Sequence, residues 1–293
     1  DWYAWAIDEI RFPNKLDDSL VNKKANAEGT IRLITRLIFV WFLKQKELIP
    51  NDFFDENAIR EKFIEDFEPN KRENNLFGYK SKESVYYKAI LQNLFFAMLN
   101  CPIFEEDESG KTVERKFRRL DENGKADSND FDDNKLMRYE KYFKNPKAFI
   151  EVANRTIPFL NGGLFDCLDD KKNKNYIDGF SDKEEVQKKL IVPDYLFFGE
   201  DIIVDLSNWY EDKKKKKVKV SGLIRILNNY NFTVEENTPF DQEVSLDPEL
   251  LGKVFENLLA SYNPETQTTA RKQTGSFYTP REIVQYMVDE SLV

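Results

Sequence analysis

The amino-acid sequence predicts a mainly α-helical fold: an irregular helical domain with small β hairpins or a small sheet between about residues 105 and 220. Three features point there. Residues 23–46 carry Ile31, Leu33, Ile34, Leu37, Ile38, Phe39, Trp41, Phe42 and Leu43, which cover more than one face of a helix and so belong inside a helical core. Residues 83–99 repeat the pattern with Val85, Ile90, Leu91, Leu94, Phe95, Met98 and Leu99. The strand candidates, by contrast, are few and short: Ile191 to Val192, Leu196 to Phe198 and Ile202 to Leu206.

Taken in order, the chain opens with Trp2, Tyr3, Trp5 and Ile7, an aromatic anchor for a neighbouring element. On the first long helix Arg32 and Arg36 lie one turn apart, which fits either a phosphate clamp or pairing with acids at the edge of a core. Residues 50–55 end that helix and a short one follows over 57–66. Residues 105–135 are dense in Asp, Glu, Lys, Asn and Gly and read as a long excursion or hairpin. Inside it Arg115, Lys116, Arg118 and Arg119 flank Phe117, a cluster that fits a DNA-backbone contact or a solvated strand balanced by acids. A helix over 146–155 leads to a built turn at Asn161-Gly162-Gly163, and residues 169–174 form another charged loop.

Lys213, Lys214, Lys215, Lys216 and Lys217 follow one another without interruption. Such a run is either a solvated loop or a phosphate-contacting one that gains affinity by releasing counterions. A short amphipathic helix over 221–230 uses Leu223, Ile224, Ile226 and Leu227, and Pro248 behind an Asp247 cap opens a later helix. The expected parts are a helical core over 1–104, a charged excursion over 105–145, a mixed helical and short-strand part over 146–240, and further helices over 241–293.

Composition narrows the chemistry. With 41% hydrophobic and 14% aromatic residues the chain can bury a sizeable core. It contains no histidine, which removes His-based triads, His general bases and His-containing metal sites. Cys101 and Cys167 are far apart and lack metal-ligand spacing, so free thiols in a reducing cytoplasm are expected and no metal site is assigned. A net charge of −9 argues against a wholly basic nucleic-acid sleeve but leaves room for a local patch. No apolar run is long enough to span a bilayer and no signal peptide opens the chain, so no membrane partner is expected. The chain does not begin with Met and stops inside a helical pattern, which suggests a segment of a longer protein.

The most informative stretch is 266–293. Thr279 is a good N-cap, Pro280 takes the first helical position and Glu282 completes a capping box. Ile283, Val284, Met287, Val288 and Leu292 then recur at helical spacing. Gly275 permits a tight approach, and Phe277 and Tyr278 supply aromatic faces. Backbone N–H groups, a hydroxyl and a positive helix end meeting there suit a carboxylate or phosphate.

The letters themselves carry a resemblance. Thr274-Gly275-Ser276-Phe277-Tyr278-Thr279-Pro280-Arg281-Glu282-Ile283-Val284 resembles the TGxFYTPxxIV segment of adenine-specific DNA methyltransferases of restriction–modification systems. Residues 247–259 (DPELLGKVFENLL), 231–237 (NFTVEEN) and 158–165 (PFLNGGLF) are similar to segments upstream of it in large single-chain enzymes. Those are the type IIG restriction–methylation enzymes and related phage-exclusion methyltransferases. The likeness thins out before about residue 80.

The resemblance implies that the chain is a helical connector ahead of a methyltransferase domain, ending in that domain's first helix. Thr274, Gly275, Phe277, Tyr278, Thr279 and Pro280 would then border the S-adenosylmethionine pocket, with backbone groups and the Thr279 hydroxyl receiving the methionine carboxylate. The parent's reaction would be methylation of adenine's exocyclic amine in double-stranded DNA. The other expected partner is the rest of the same polypeptide: a methyltransferase domain after Val293 and a nuclease before Asp1. The family's catalytic tetrapeptide needs two adjacent prolines, and its cofactor turn needs Gly-x-Gly; this chain has neither, so no catalytic residue is assigned here.

Two other classes of function fit the sequence. One is a purely structural spacer between nuclease and methyltransferase, which binds no DNA. The other is a Mg²⁺-dependent nuclease built from Asp194, Glu211 and Lys213, whose carboxylates would share the ion from adjacent strands. Magnesium enters only with such a nuclease.

Overall fold

A buried helix running through Tyr86–Leu91 and Asn93–Met98 organises most of the described chain. Its apolar residues crowd every side, and nearly all of them are inaccessible to solvent. The backbone bonds run i→i+5, as from the Leu99 N–H to the Leu94 carbonyl at 3.0 Å, so the turns are π-helical. The computed structural model describes residues 1–15, 23–73, 80–101, 104–106, 112–114, 137–160 and 163–229, with helical positions 283, 286, 287 and 290. The chain divides into two compact units, one of Asp1–Thr30 with Glu47–Tyr230, the other of Ile31–Lys46 with Asn231–Val293.

In the first unit, the polar side chains of the buried helix each fasten a different segment. The Tyr86 hydroxyl donates to the Phe53 carbonyl at 3.0 Å, Gln92 Nε2 to Asp178 at 2.9 Å, and Asn93 Nδ2 to Arg138 at 3.0 Å. The helix start is capped from far away in sequence. Both Asp194 carboxylate oxygens accept backbone N–H groups there, from Val85 at 3.2 Å and Tyr86 at 2.8 Å. These bonds satisfy donors that the first turn of a helix leaves orphaned.

Aromatic rings fill the space around this helix. Phe53 packs on Phe149 at 5.1 Å and on Phe63 at 5.3 Å, while Tyr86 meets Phe197 at 5.0 Å and Phe198 at 4.7 Å. The opening helix Trp2–Glu9 is the anchor its sequence suggested. Trp2 is buried and donates through Nε1 to the Leu196 carbonyl at 2.9 Å, and Trp5 stacks on Tyr195 at 5.9 Å.

The long helix is Lys23–Gln45, close to its expected bounds. In the first unit its Asn26 side chain accepts the Phe12 N–H at 2.9 Å. Gly29 lies against the Phe12 ring so closely that a Cβ would overlap it, which explains a glycine inside a helix where Ala is otherwise favoured by roughly 1 kcal/mol. In the second unit the helix buries Leu33, Leu37, Val40 and Trp41. Arg36 is only 3% exposed. Arg32 and Arg36 both engage partners within the protein. In the later part of that unit, Ile283, Tyr286 and Met287 occupy helical positions and are largely exposed.

Among the described residues the sheets are three antiparallel pairs of two strands. Phe104–Glu106 pairs with Thr112–Glu114, a hairpin within the charged excursion. Ile202–Val204 pairs with Val218–Val220 in the register Ile203 to Lys219. Asn14–Lys15 pairs with Asn175–Tyr176. Two strand expectations need correcting. The run from Leu196 to Phe198 lies in the helix Tyr195–Phe198, all of whose side chains are buried. A continuous apolar run has no alternation to separate a strand from a buried helical turn. Ile191 forms an isolated bridge with Arg11 rather than a strand, exchanging N–H bonds of 2.7 and 2.9 Å.

Candidate nucleic-acid interface

The five consecutive lysines sit on an arm, residues 205–217, that connects the two strands of the Ile202–Val204 hairpin. The hairpin base is narrow. Gly222 donates to the Gly199 carbonyl at 2.9 Å, and a Cβ on Gly222 would overlap the Phe197 carbonyl and the Gly199 nitrogen. On the arm, the helix Ser207–Tyr210 is started by Asp205, whose Oδ1 accepts from the Ser207 N–H at 2.9 Å and from its hydroxyl. Glu211 then takes a left-handed conformation at φ 51° and reverses the chain. The lysines follow as the 3₁₀ turn Lys213–Lys216, capped by Asp212 accepting the Lys214 N–H at 2.9 Å. Two backbone bonds close the arm on itself, Leu206 N–H to Lys215 at 2.9 Å and Asp212 N–H to Ser207 at 3.1 Å. The lysine run is therefore a built turn.

Lys215 is the lysine that the fold employs. Its Nζ lies 3.2 Å from Asp1 Oδ1 and 4.9 Å from the centre of the Tyr210 ring. Lys213, Lys214, Lys216 and Lys217 make no ion pair among the described residues and point into solvent. The neighbourhood is mixed in sign, because Glu200, Asp201, Asp205, Glu211 and Asp212 share the segment with these lysines and Lys219. Three of the acids are engaged: Asp201 pairs with Lys219, Asp205 holds Ser207 and Asp212 caps the lysine turn. Four exposed lysines on and just after one turn are what a phosphate backbone engages without regard to sequence.

A cleft of about 660 Å³ opens against the same hairpin, lined by Trp5, Glu9, Arg72, Lys80, Lys82 and Tyr195 among others. Glu9 is already bonded, accepting the Tyr195 hydroxyl at 2.8 Å and facing Lys82 at 3.1 Å. Lys80 differs. Its Nζ is buried without a hydrogen-bond partner, 5.4 Å from the Tyr195 ring centre. Desolvation, and then the charge of Arg72, hold its pKa below the usual lysine range. A bound anion would relieve both effects. Sequence reasoning missed this grouping because its members come from three segments far apart in the chain, around Trp5, Lys80 and Tyr195.

The fold also gathers Cys167, Asp169 and Asp178, whose potential ligand atoms lie within 4.8 Å of one another, although the sequence shows no metal-ligand spacing there. Asp169 accepts N–H bonds from Asp178, Gly179 and Phe180 at 2.7, 3.0 and 2.8 Å, and Asp178 accepts from Leu168 at 2.8 Å. Burial pushes the Cys167 thiol up, keeping it protonated. The two carboxylates brace a loop that the sequence presents only as charged.

The arrangement required for the nuclease is absent from its expected residues. Asp194 is a buried cap at the start of a helix, and Glu211 ends another helix in a left-handed turn, so neither stands on a strand beside the other. Both Asp194 oxygens are spent on backbone N–H groups. Arg115, Lys116, Arg118 and Arg119, and the cofactor-contacting candidates Thr274, Gly275, Phe277, Tyr278, Thr279 and Pro280, lie outside the described residues. No helix among the described residues is long and apolar enough to cross a membrane.

The chain is similar to a protein of Methanocaldococcus jannaschii provisionally named a type II restriction enzyme and methyltransferase. The two are 26% identical over 262 residues, which is 89% of this chain and 14% of that protein. The chain thus spans a small part of its relative's length. No family model matches the sequence, and no solved structure matches it.

Proposed function

We infer that this chain is the helical, DNA-handling part of a restriction–modification methyltransferase of the type IIG-like, adenine-specific class, which moves a methyl group from S-adenosylmethionine to the exocyclic amine of adenine in double-stranded DNA. The observation that carries this reading is the likeness, along 89% of the chain, to a protein named as a restriction enzyme and methyltransferase. The TGSFYTP letters at 274–280 support it, with Thr274, Gly275, Phe277, Tyr278, Thr279 and Pro280 as one wall of the cofactor pocket. The chain's own contribution is contact with the DNA backbone through Lys213, Lys214, Lys216 and Lys217, joined by Arg115, Lys116, Arg118 and Arg119. Without the tetrapeptide that orients adenine, the chain alone transfers no methyl group.

Fluorescence anisotropy of a labelled duplex with the 293-residue chain tests the DNA contact. Affinity should fall steeply between about 50 mM and about 200 mM salt, since each neutralised phosphate contributes a slope of roughly −0.9 in log–log form. An affinity indifferent to salt would sink the electrostatic contact. The acids around the lysine arm favour one rival, the structural spacer. That reading expects no duplex binding even at the lower salt.

A further inference from the structure

The lysine arm carries a second feature that contact with a duplex backbone does not use. Directly before the lysines stand Trp209 and Tyr210, 48% and 42% exposed. The chain's other tryptophans are buried: Trp2 is 8% exposed, Trp5 6% and Trp41 2%. One indole of four has thus been left half in water, and it is the one on the basic arm. It is also held in place. Trp209 packs against Tyr3 with ring centres 5.8 Å apart at 75°, and the helix that bears it is held at its first residue by Asp205 and tied to the lysine turn by the backbone bonds already described. Tyr210 carries the Lys215 ammonium over its ring, so the aromatic and cationic groups form one unit rather than two accidental neighbours.

Phosphates alone explain lysines and leave exposed rings unexplained. In a closed duplex each base covers its neighbours, so a protein aromatic finds no base face to pack on. In an unpaired strand the base faces are free, and aromatic side chains beside a cationic track are the recurrent means of holding them, with little regard to sequence. We propose that Trp209 and Tyr210 are a stacking platform for unpaired bases, with Lys213, Lys214, Lys216 and Lys217 gripping the phosphates of the same strand. This rests on the reading that the lysine arm contacts DNA, and it adds that the preferred form is a single strand or a locally opened duplex. The direct contact is ring on base face, and no bond is made or broken.

Tryptophan emission reads this contact, because a base stacked on an indole quenches it and Trp209 is the exposed indole. The experiment titrates the full chain with an unlabelled single-stranded oligodeoxynucleotide of mixed sequence, and separately with the same sequence as a closed duplex. Anisotropy of labelled copies is followed in parallel. The single strand should quench emission and the duplex should quench it little. Trp209→Ala should weaken single-strand binding about tenfold or more, the range expected for one lost stacking contact. The same change should alter duplex binding less than about twofold. Trp209→Phe, which keeps a ring, should retain most of the single-strand affinity. Circular dichroism of both variants checks that the fold is intact.

The outcomes separate the two claims. Salt-dependent DNA binding with unchanged emission, or an equal loss on both DNA forms in Trp209→Ala, overturns the platform and leaves the backbone contact standing. Failure of either DNA form to bind at low salt overturns both. Quenching of the parent chain by the single strand, with a single-strand affinity by anisotropy that Trp209→Phe keeps and Trp209→Ala loses, supports the platform.

Discussion

Two regions of the first unit use the same residue types to opposite ends. Around the buried helix, Phe53, Tyr86, Phe149 and Phe197 pack ring on ring out of water, and Asp194 spends its carboxylate on two backbone N–H groups. On the lysine arm, Trp209 and Tyr210 remain half in solvent, and the exposed Asp205 accepts the N–H of the first residue of a short helix. The local motifs are alike, a helical segment bearing aromatics with an aspartate on its first N–H groups. What differs is desolvation, and desolvation decides whether a ring stabilises the fold or stays available to a ligand.

Matched substitutions can break that comparison. Phe53→Ala removes a fully buried ring from the Phe63–Phe149 cluster and should cost about 3–5 kcal/mol, read from urea unfolding. Trp209→Ala, an even larger truncation, should cost only about 1 kcal/mol, the order of its single edge contact with Tyr3. Equal costs would mean that the arm is part of the core.

The acids make a second pair. Asp194→Ala leaves the Val85 and Tyr86 N–H groups unpaired and should lower stability by about 2–3 kcal/mol. Asp205→Ala, whose donors can turn to water, should barely move the unfolding midpoint.

The pH response sharpens the contrast further. Burial pushes the Asp194 carboxyl up to about 8, outweighing the N–H bonds from Tyr86 and Val85 that pull it down. An unfolded aspartate ionises near about 4. Between those values the unfolded chain has released a proton that the folded chain keeps, so this group's contribution to stability declines as pH rises from about 4 to about 8. Unfolding midpoints across that window should decline in the parent and flatten in Asp194→Asn. An unchanged decline in the variant would assign the slope to another group.

The smallest effect on stability should come from replacing Lys213, Lys214, Lys216 and Lys217 with Gln, since none makes an ion pair among the described residues. Unfolding should be unchanged within about 0.5 kcal/mol, while the salt dependence of DNA binding becomes shallower. A destabilised variant with unaltered binding would reverse the roles assigned to the two regions.

How much of this was legible in advance depends on the range of the interaction. The helices over 23–46, 83–99, 146–155 and 221–230 were readable because apolar spacing within one segment reports the face that must be buried. The Leu196 to Phe198 run was misread because burial on all sides erases the alternation that marks a strand. Roles set by partners more than about a hundred residues away left no local signal. Asp194 resembles a nuclease acid in sequence and is a helix cap in space, 108 residues from the Tyr86 N–H that it accepts.

By itself, then, the sequence determined the mainly helical class, the exclusion of histidine chemistry and the TGSFYTP resemblance, because composition, periodicity and short motifs are properties of contiguous residues. Only the tertiary structure decided which charges are free and which rings are wet. It brought Arg72, Lys80 and Tyr195 to one cleft, set Asp194 on the Tyr86 N–H, and left Trp209 beside the lysines. Solvation and pairing depend on what the fold places next to a group, and that neighbour is rarely its neighbour in the chain.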